Sequence, residues 1–307
     1  MMISLFIKSL NILSSTCLNP TISVGRSGYT LTNINKITDC YFSRSLVYSE
    51  NGGVIYIYNV VATMNIKRCV FFECKVDSSA KRGGAIWFSS NQAELDMVCA
   101  HSCGANYNHF ACLECSNNIK MSLVSMVSCA VDYYGNHPIY LLNGIQTVVN
   151  TNCSNNRAVV ISSIYFQNAV LTEMQFSNIV KNYVSHSYSI GFSKCPTTIS
   201  STNFVGCNSP LDTGVVTCHE NGAVTISSSV FVDNMNTLLW VGIGSIIVDD
   251  CFISHSGLVH IGAVTIKNMI MSSIKQTYSF SHFGTIHCFV DESQTTQSQS
   301  QPQQTAA

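Results

Sequence analysis

Charged side chains are scarce in this chain of 307 residues, since only 10% are Asp, Glu, Lys or Arg, against about 25% in an average soluble domain. The net charge of −1 argues against nucleic-acid binding, which needs a basic face. Hydrophobic residues make up 46% of the chain, so it has enough apolar surface to bury and is not disordered. Its exposed surface must therefore consist mainly of neutral polar groups.

Long hydrophobic runs and helical periodicity are also missing. The longest apolar run, residues 238–248, has 11 residues, whereas a helix needs about 20 to cross a bilayer. We therefore expect no membrane span. No window of 11 or more residues shows helical spacing of apolar side chains. Short β-branched and aromatic runs bounded by Gly, Asn and Ser are typical of strands instead, and the clearest are residues 53–58, 84–88, 138–142, 214–218 and 238–242.

Residues 64–90, MNIKRCVFFECKVDSSAKRGGAIWFSS, contain one complete copy of an internal repeat. A strand-like run leads to a polar turn, and a Gly-Gly step opens a second strand-like run. The pattern I-x-x-C-x-F-x-x-C/N recurs at spacings of 19 to 30 residues. With the Phe position as reference, the copies fall at Phe42, Phe71, His101, Val131, Asn155, Phe176, Phe204, Phe231, Phe252 and Met271.

Short strands at this period, without helices, favour a stacked solenoid. The leucine scaffold of leucine-rich repeats is missing, and propeller blades need about 40 residues. We predict an all-β, single-stranded right-handed parallel β-helix of about ten coils over residues 21–290, with equivalent strands stacked about 4.8 Å apart. Insertions would then bulge from the turns without disturbing the stack. Residues 1–20 are either a signal peptide or an N-terminal cap, and the polar residues 291–307 are predicted to form a disordered tail.

Two elements of the repeat carry a family resemblance. GGAI (residues 83–86) and F-x-x-N (residues 231–234) resemble the repeats of polymorphic-membrane-protein-type surface proteins of chlamydiae and trichomonads. More broadly, the chain is similar to the pectin-lyase-like, right-handed β-helix superfamily. The resemblance implies the fold and an extracellular or cell-surface location. It leaves function open, because that superfamily contains lyases, hydrolases, adhesins and phage spikes.

The chain has 15 cysteines, an odd number that leaves at least one thiol without an intrachain partner. Two residues before the reference position, five consecutive copies carry cysteine. We predict that these residues form a buried structural ladder, because free cysteine packs as a small hydrophobe; they are Cys40, Cys69, Cys99, Cys129 and Cys153. Scattered disulfide bonds between rungs remain an alternative.

A metal site is the other use of cysteine that we considered. Cys112 and Cys115 form the single C-x-x-C pair, with His101, Cys103 and His109 nearby in sequence. A zinc site normally needs a second such pair, and positions i and i+3 of a strand point to opposite faces. We therefore expect no metal or cofactor.

Asp249 and Asp250 are the candidate catalytic pair, since glycoside hydrolases use paired carboxylates as acid and base. The N-T-D, G-H-G and R-I-K segments found in pectin hydrolases of the superfamily are missing. The alternative is that these two residues occupy a turn or a strand edge.

Asparagine and aromatic residues offer the remaining clues. The many asparagines favour tight turns, because Asn tolerates left-handed backbone. Aromatic residues that reach the surface could form a platform for sugars; the candidates are Tyr56, Tyr58, Trp87, Tyr133, Tyr134, Tyr140 and Trp240.

The sequence thus favours a monomeric, non-enzymatic surface or secreted protein that binds glycans or host and matrix proteins. A divergent polysaccharide lyase or hydrolase is the alternative.

Overall fold

The computed structural model describes residues 34–48, 51–77, 80–130, 135–210, 212–255, 257, 259–270 and 277–278. These residues form 27 β-strands and no helix, and the strand pairs are parallel. The chain is therefore an all-β parallel solenoid, as the sequence predicts. Nothing in the described part of the chain is a helix able to cross a membrane. The predictions for residues 1–20 and 291–307 lie outside the described residues.

The strands stack into three faces. Ile55–Phe72, Ile86–His101 and Asn108–Ser122 are long strands that bend from one face to the next. The aromatic face contains their first segments together with His137–Leu142, Ile164–Gln167, Ile190–Ser193, Val216–His219, Leu239–Val241 and His260–Ile261. Eight steps separate its first strand from its last, so the solenoid has about eight turns rather than ten.

The polar face follows in each coil. It contains Ile34–Thr38, the middle or final segments of the long strands, Ile145–Val149, Leu171–Gln175, Pro196–Ser200, Gly222–Ser227, Gly244–Asp249 and Val264–Lys267.

The covered face completes the coil. It contains Tyr41–Ser43, the last segments of the first two long strands, Ser125–Val127, Asn152–Ser154, Asn178–Val180, Asn203–Val205, Val230–Val232 and Phe252–Ser254. Beyond this face lie two short pairs, Leu46–Val47 with Lys75–Val76 and Arg157–Ala158 with Tyr183–Val184.

Stacked side chains fill the interior, because alternate residues of each strand point inward. Equivalent positions meet in register, so like side chains stack on like. The rings of Phe42 and Phe71 lie 5.0 Å apart between centroids, and those of Phe204 and Phe231 lie 4.7 Å apart. These two pairs confirm the predicted register between Phe42 and Phe71 and between Phe204 and Phe231. Phe252, predicted to follow Phe231, is in register with Val230 instead, and Ile253 takes the core position.

Single left-handed residues turn the chain between the polar and covered faces. Met97 has a φ of 54° and Phe176 a φ of 49°, although such values are uncommon for residues other than Gly, Asn and Asp. Neither Met nor Phe is a residue type that predicts a turn. Phe176, predicted to lie at the core reference position, is therefore an exposed turn residue, and Ile179 occupies the core position in register with Phe204.

The five-rung cysteine ladder is wrong beyond its second rung. Cys40 and Cys69 share one corner column, but the next rung is Val98, because Met97 takes the left-handed position and moves Cys99 one residue on. Cys153 lies at the inward centre of the covered face. All five cysteines are buried, so the predicted burial holds while the register does not.

The corner column is defined by hydrogen bonding to the preceding turn rather than by cysteine itself. Its thiol and hydroxyl side chains donate a hydrogen bond to the carbonyl two residues earlier and so brace the turn, whereas Val98 only fills the position. Cys40 Sγ donates to Thr38 O at 3.2 Å, and Thr202 Oγ1 donates to Ser200 O at 3.0 Å. Cys69, Thr151, Ser177, Ser229 and Cys251 do the same. A thiol and a hydroxyl are interchangeable here because each is a small donor.

A second column, which we name the Cys/Asn ladder, closes the covered face. It consists of Cys74, Cys103, Cys129, Asn156, Asn182, Cys207 and Asn234. Cys103 Sγ donates to Phe71 O at 3.5 Å, and Asn234 Nδ2 donates to Phe204 O at 2.8 Å. Either side chain thus satisfies a carbonyl of the preceding coil, which explains the C/N alternation at the end of the repeat.

Free thiols provide a direct test of this interior. Twelve cysteines are buried and free in the described residues, and Cys99 is disulfide-bonded. Burial makes a thiol inert to reagents, so we expect almost no reaction with a thiol reagent in the native protein. After denaturation without reductant, at least twelve thiols should react. A count near zero would show that the rungs are cross-linked.

Candidate functional site

A lane of rings runs along the outside of the aromatic face. We name it the aromatic lane, and its members are Tyr56, Tyr58, Trp87, His137, Tyr140, Tyr165, Tyr188, His219 and Trp240. Strand register brings most of them together, since Trp87 is in line with Tyr56 and Tyr165 is in line with Tyr140.

Ring spacing makes the lane nearly continuous. Centroids of Tyr140 and Tyr165 lie 5.7 Å apart, and those of His219 and Trp240 lie 4.9 Å apart. Interplanar angles are small near His137, at 19° to Tyr165, and reach 56° between Tyr165 and Tyr188. Contacts of both kinds are favourable between aromatic rings.

A glycine lets one ring, that of Tyr188, enter the lane from outside the strand register. Gly191 lies at the position equivalent to Tyr165. A Cβ there would lie 2.1 Å from Tyr188 Cε2, so only glycine admits the Tyr188 ring over this strand. His219 continues the lane from Tyr188, at 4.9 Å between centroids.

The rings of the lane are electrically neutral at neutral pH. Burial lowers the pKa of His137 to about 3 and also lowers the pKa of His219. Burial raises the pKa of Tyr140, Tyr165 and Tyr188 above the ordinary phenol value. The lane is therefore an apolar, uncharged strip.

Charges beside the lane are paired. Arg82 Nη1 lies 3.1 Å from Glu114 Oε1, and Lys194 Nζ lies 3.6 Å from Glu220 Oε2. Ser193 Oγ also donates to Glu220 Oε2 at 2.6 Å, and this hydrogen bond, with the charge of Lys194, lowers the pKa of the Glu220 carboxyl. Each acid near the lane thus has a cation as its neighbour.

Within the described part of the chain, three buried polar atoms in the lane or directly in register with it have no hydrogen-bond partner: Trp87 Nε1, Thr217 Oγ1 and His219 Nε2. Such atoms cost about 1–3 kcal/mol each.

The sequence identified part of this site. Tyr56, Tyr58, Trp87, Tyr140 and Trp240 lie in the lane, whereas Tyr133 and Tyr134 fall outside the described residues. Sequence reasoning missed the other four members, which are Tyr165, Tyr188, His137 and His219. Aligning residues 164–167 with residues 139–142 would have placed Tyr165 beside Tyr140, but Tyr188 lies before its strand begins and gives no such signal.

Asp249 and Asp250 lie away from the lane, where the polar face turns toward the covered face. Asp250 is the left-handed turn residue, with a φ of 50°, and accepts a hydrogen bond from Ser228 Oγ. Asp249 accepts one from Asn268 Nδ2 at 2.9 Å and has Lys267 as its neighbour in register. Asp250 therefore occupies a turn and precedes the corner column, which Cys251 occupies.

The C-x-x-C pair is split between the two sides of its strand. Cys112 occupies the outward column of the aromatic face between Trp87 and Tyr140, and it interrupts the lane there. Leu113 and Cys115 are two residues apart and point inward. The described residues contain no cluster of His, Cys, Asp or Glu that could hold a metal ion.

A cavity of about 660 Å³ opens beside the Cys/Asn ladder. Its lining includes Glu73, Lys75, Asp77, Cys103 and His109. Burial lowers the pKa of His109 to about 3, so this ring is a neutral packing residue rather than a titrating base. The aromatic lane is the stronger candidate, since it unites many partly exposed rings in one surface.

Comparison of the chain with models of known protein families, with curated proteins and with solved structures finds no match.

Proposed function

We propose that this protein is a non-enzymatic binding protein that holds a neutral glycan chain along its aromatic lane. The observation that carries the proposal is the lane itself, a row of rings bordered by polar side chains on one face. Aromatic side chains supply large, rigid contact area at low entropic cost. Sugars offer the matching combination of apolar C–H faces and hydroxyl groups.

The shape of the lane favours a polymer over a single sugar. Tyr140 and Trp240 occupy equivalent positions four rungs apart, which corresponds to about 19 Å at about 4.8 Å per rung. An oligosaccharide lying along the solenoid axis would contact successive rings.

Charge pairing favours a neutral ligand. Arg82 and Lys194 are each engaged by a carboxylate, so the lane offers no row of free cations to an acidic polymer such as polygalacturonate. Electrostatic recognition of a polyanion would need such a row.

The positions of the carboxylates beside the lane argue against hydrolysis of a polymer held there. Glu114 and His219 lie in one outward column four rungs apart, and Glu220 follows His219. The two glutamates beside the lane are thus separated by roughly 19 Å, whereas the paired acids of glycosidases lie about 5–10 Å apart. Asp249 and Asp250 are on another part of the molecule.

We propose a location at the cell surface or outside the cell, supported by the likeness of GGAI at residues 83–86 to the repeats of surface proteins. Buried thiols are compatible with this location, because oxidants cannot reach them.

Tryptophan fluorescence tests the binding directly, because both tryptophans of the chain, Trp87 and Trp240, lie in the lane. Titration with soluble neutral β-glucans and with polygalacturonate should change the emission for a neutral polymer and leave it unchanged for the acidic one. Trp240→Ala should weaken binding by calorimetry about tenfold, equivalent to 1.4 kcal/mol.

Thr198→Ala is the matched control, because Thr198 is exposed on the polar face. It should bind like the wild type. Equal losses in both variants, or no emission change with any neutral polymer, would contradict the lane as the binding surface. Cleavage of any polymer that Asp250→Ala abolishes would show that the protein is an enzyme instead.

A further inference from the structure

The outer surface of the covered face is buried, although it points away from the core. Phe231 and Ile253 point inward, so their strand neighbours Val230, Val232 and Phe252 must point outward. These three side chains are nevertheless only 4%, 2% and 7% exposed. They form an apolar cluster against which Val205 also packs. Another part of the molecule therefore covers this face.

Tyr278 identifies that part. Asn203 Nδ2 donates to Tyr278 O at 2.8 Å, and the Tyr278 N–H donates to Asn203 Oδ1 at 2.9 Å. The amide of Asn203, which is 2% exposed, thus pairs with both backbone groups of Tyr278, as a neighbouring strand would. Asn203 lies in the outward column, next to Val230.

The direction of the chain reverses to reach this point. Ile270 pairs with Phe252 at the end of the solenoid. Tyr278 lies beside Asn203, which is two rungs before Phe252. The sequence from Tyr278 to Val290, YSFSHFGTIHCFV, is rich in large apolar residues. Such residues gain free energy when an apolar surface is available to cover them.

We infer that the outer side of the covered face is a docking surface for this chain's own C-terminal segment, residues 277–290. Asn203 fixes the backbone of the segment at Tyr278, and the segment shields the cluster of Val230, Val232 and Phe252. This assignment departs from the prediction that residues up to 290 continue the coils. It is independent of glycan binding, which takes place on the aromatic face.

Hydrogen exchange of the Tyr278 amide tests the anchor in the full chain. In the wild type the amide should be protected, and Asn203→Ala should speed its exchange by about tenfold or more, since the acceptor is lost. Asn152→Ala is the control, because Asn152 is buried on the same face but bonds Ser125 Oγ and Ser154 Oγ instead. It should leave exchange at Tyr278 unchanged.

Two shortened chains test the shielding. A chain ending at Ile270 should bind a hydrophobic dye severalfold more than the full chain, and added peptide 277–290 should reverse this. A chain ending at Val290, which lacks only the polar tail, should match the full chain.

Each alternative has its own result. Unchanged Tyr278 exchange in Asn203→Ala overturns the inference, even if the chain ending at Ile270 does not fold. A full chain that is dimeric and becomes monomeric on Phe252→Ser would show that a second copy covers the face. Equal dye binding by folded chains of both lengths would also overturn it.

Discussion

Replacing Gly84 by alanine is expected to destabilise the solenoid by at least about 3 kcal/mol. A Cβ at this position would lie 2.1 Å from His109 O and 2.5 Å from Gly104 O. Both are backbone atoms of the next coil, so no side-chain rotation can relieve the clash. The backbone hydrogen bonds that join the coils here, including Gly84 N to Asn108 O at 2.8 Å, would have to lengthen. The midpoint of denaturant unfolding, followed by circular dichroism, measures the effect.

Gly104→Ala is the control for this prediction. A Cβ on Gly104 would meet only the flexible side chain of Lys75, with Cγ at 3.7 Å and Cδ at 4.0 Å. The φ of Gly104 is not in the left-handed range. Because alanine also restricts the unfolded chain, its effect should be within about 1 kcal/mol and could be stabilising. Similar losses in the two variants would show that close coil approach is not what selects glycine at position 84.

The Gly-Gly step of the repeat follows from the same geometry. Gly83 has a φ of 70°, which reverses the chain before the aromatic face, and Gly84 permits the next coil to approach. Gly53 plays the part of Gly84 one coil earlier, since a Cβ there would lie 2.0 Å from Gly84 O. The close packing of successive coils thus requires the Gly-Gly motif.

Removing the side chain of Asn182 is the second substitution with a large expected effect. Asn182 is 1% exposed. Its Oδ1 accepts the Asn156 N–H at 2.9 Å, and its Nδ2 donates to Cys153 O at 2.8 Å. Asn182→Ala leaves a buried N–H and a buried C=O without partners, at about 1–3 kcal/mol each. We therefore expect a loss of about 3 kcal/mol in the free energy of unfolding, measured by urea titration.

Two further variants separate the causes. Asn182→Cys should lose less than Asn182→Ala, because Cys207 at the next rung shows that a thiol can donate to the preceding coil, with Sγ 3.3 Å from Ile179 O. Asn117→Ala, at an exposed position, should change stability by less than about 0.5 kcal/mol. If Asn117→Ala costs as much as Asn182→Ala, the ladder hydrogen bonds are not responsible.

The success of register prediction varied along the chain for a physical reason. Phe204 and Phe231 were aligned correctly, as were Ile199 and Ile226 on the preceding strand. Between them the turns have ordinary polar residues, such as Ser201 and Ser228 at the left-handed position. Met97 and Phe176 occupy the same position elsewhere. Phe176 looks like core, so the alignment slipped there, whereas beside Met97 it slipped because Cys99 was taken for the corner cysteine.

The sequence by itself determined the class of fold. Scarce charge, short β-branched runs and a recurring pattern around Phe71 are sufficient for a parallel solenoid, since strand period and repeat period are local properties. The same reasoning predicted the burial of the cysteines, because a free cysteine side chain packs as a small hydrophobic residue.

Only the tertiary structure decided which side chains share a surface. A one-residue shift reverses the facing of every side chain in a strand, so the lane from His137 to Trp240 and the two separate columns of cysteine and asparagine depend on turns that the sequence does not mark. The contact of Tyr278 with Asn203 joins residues 75 positions apart. No local pattern specifies that contact, because it arises only once the coils have formed the face on which Tyr278 lies.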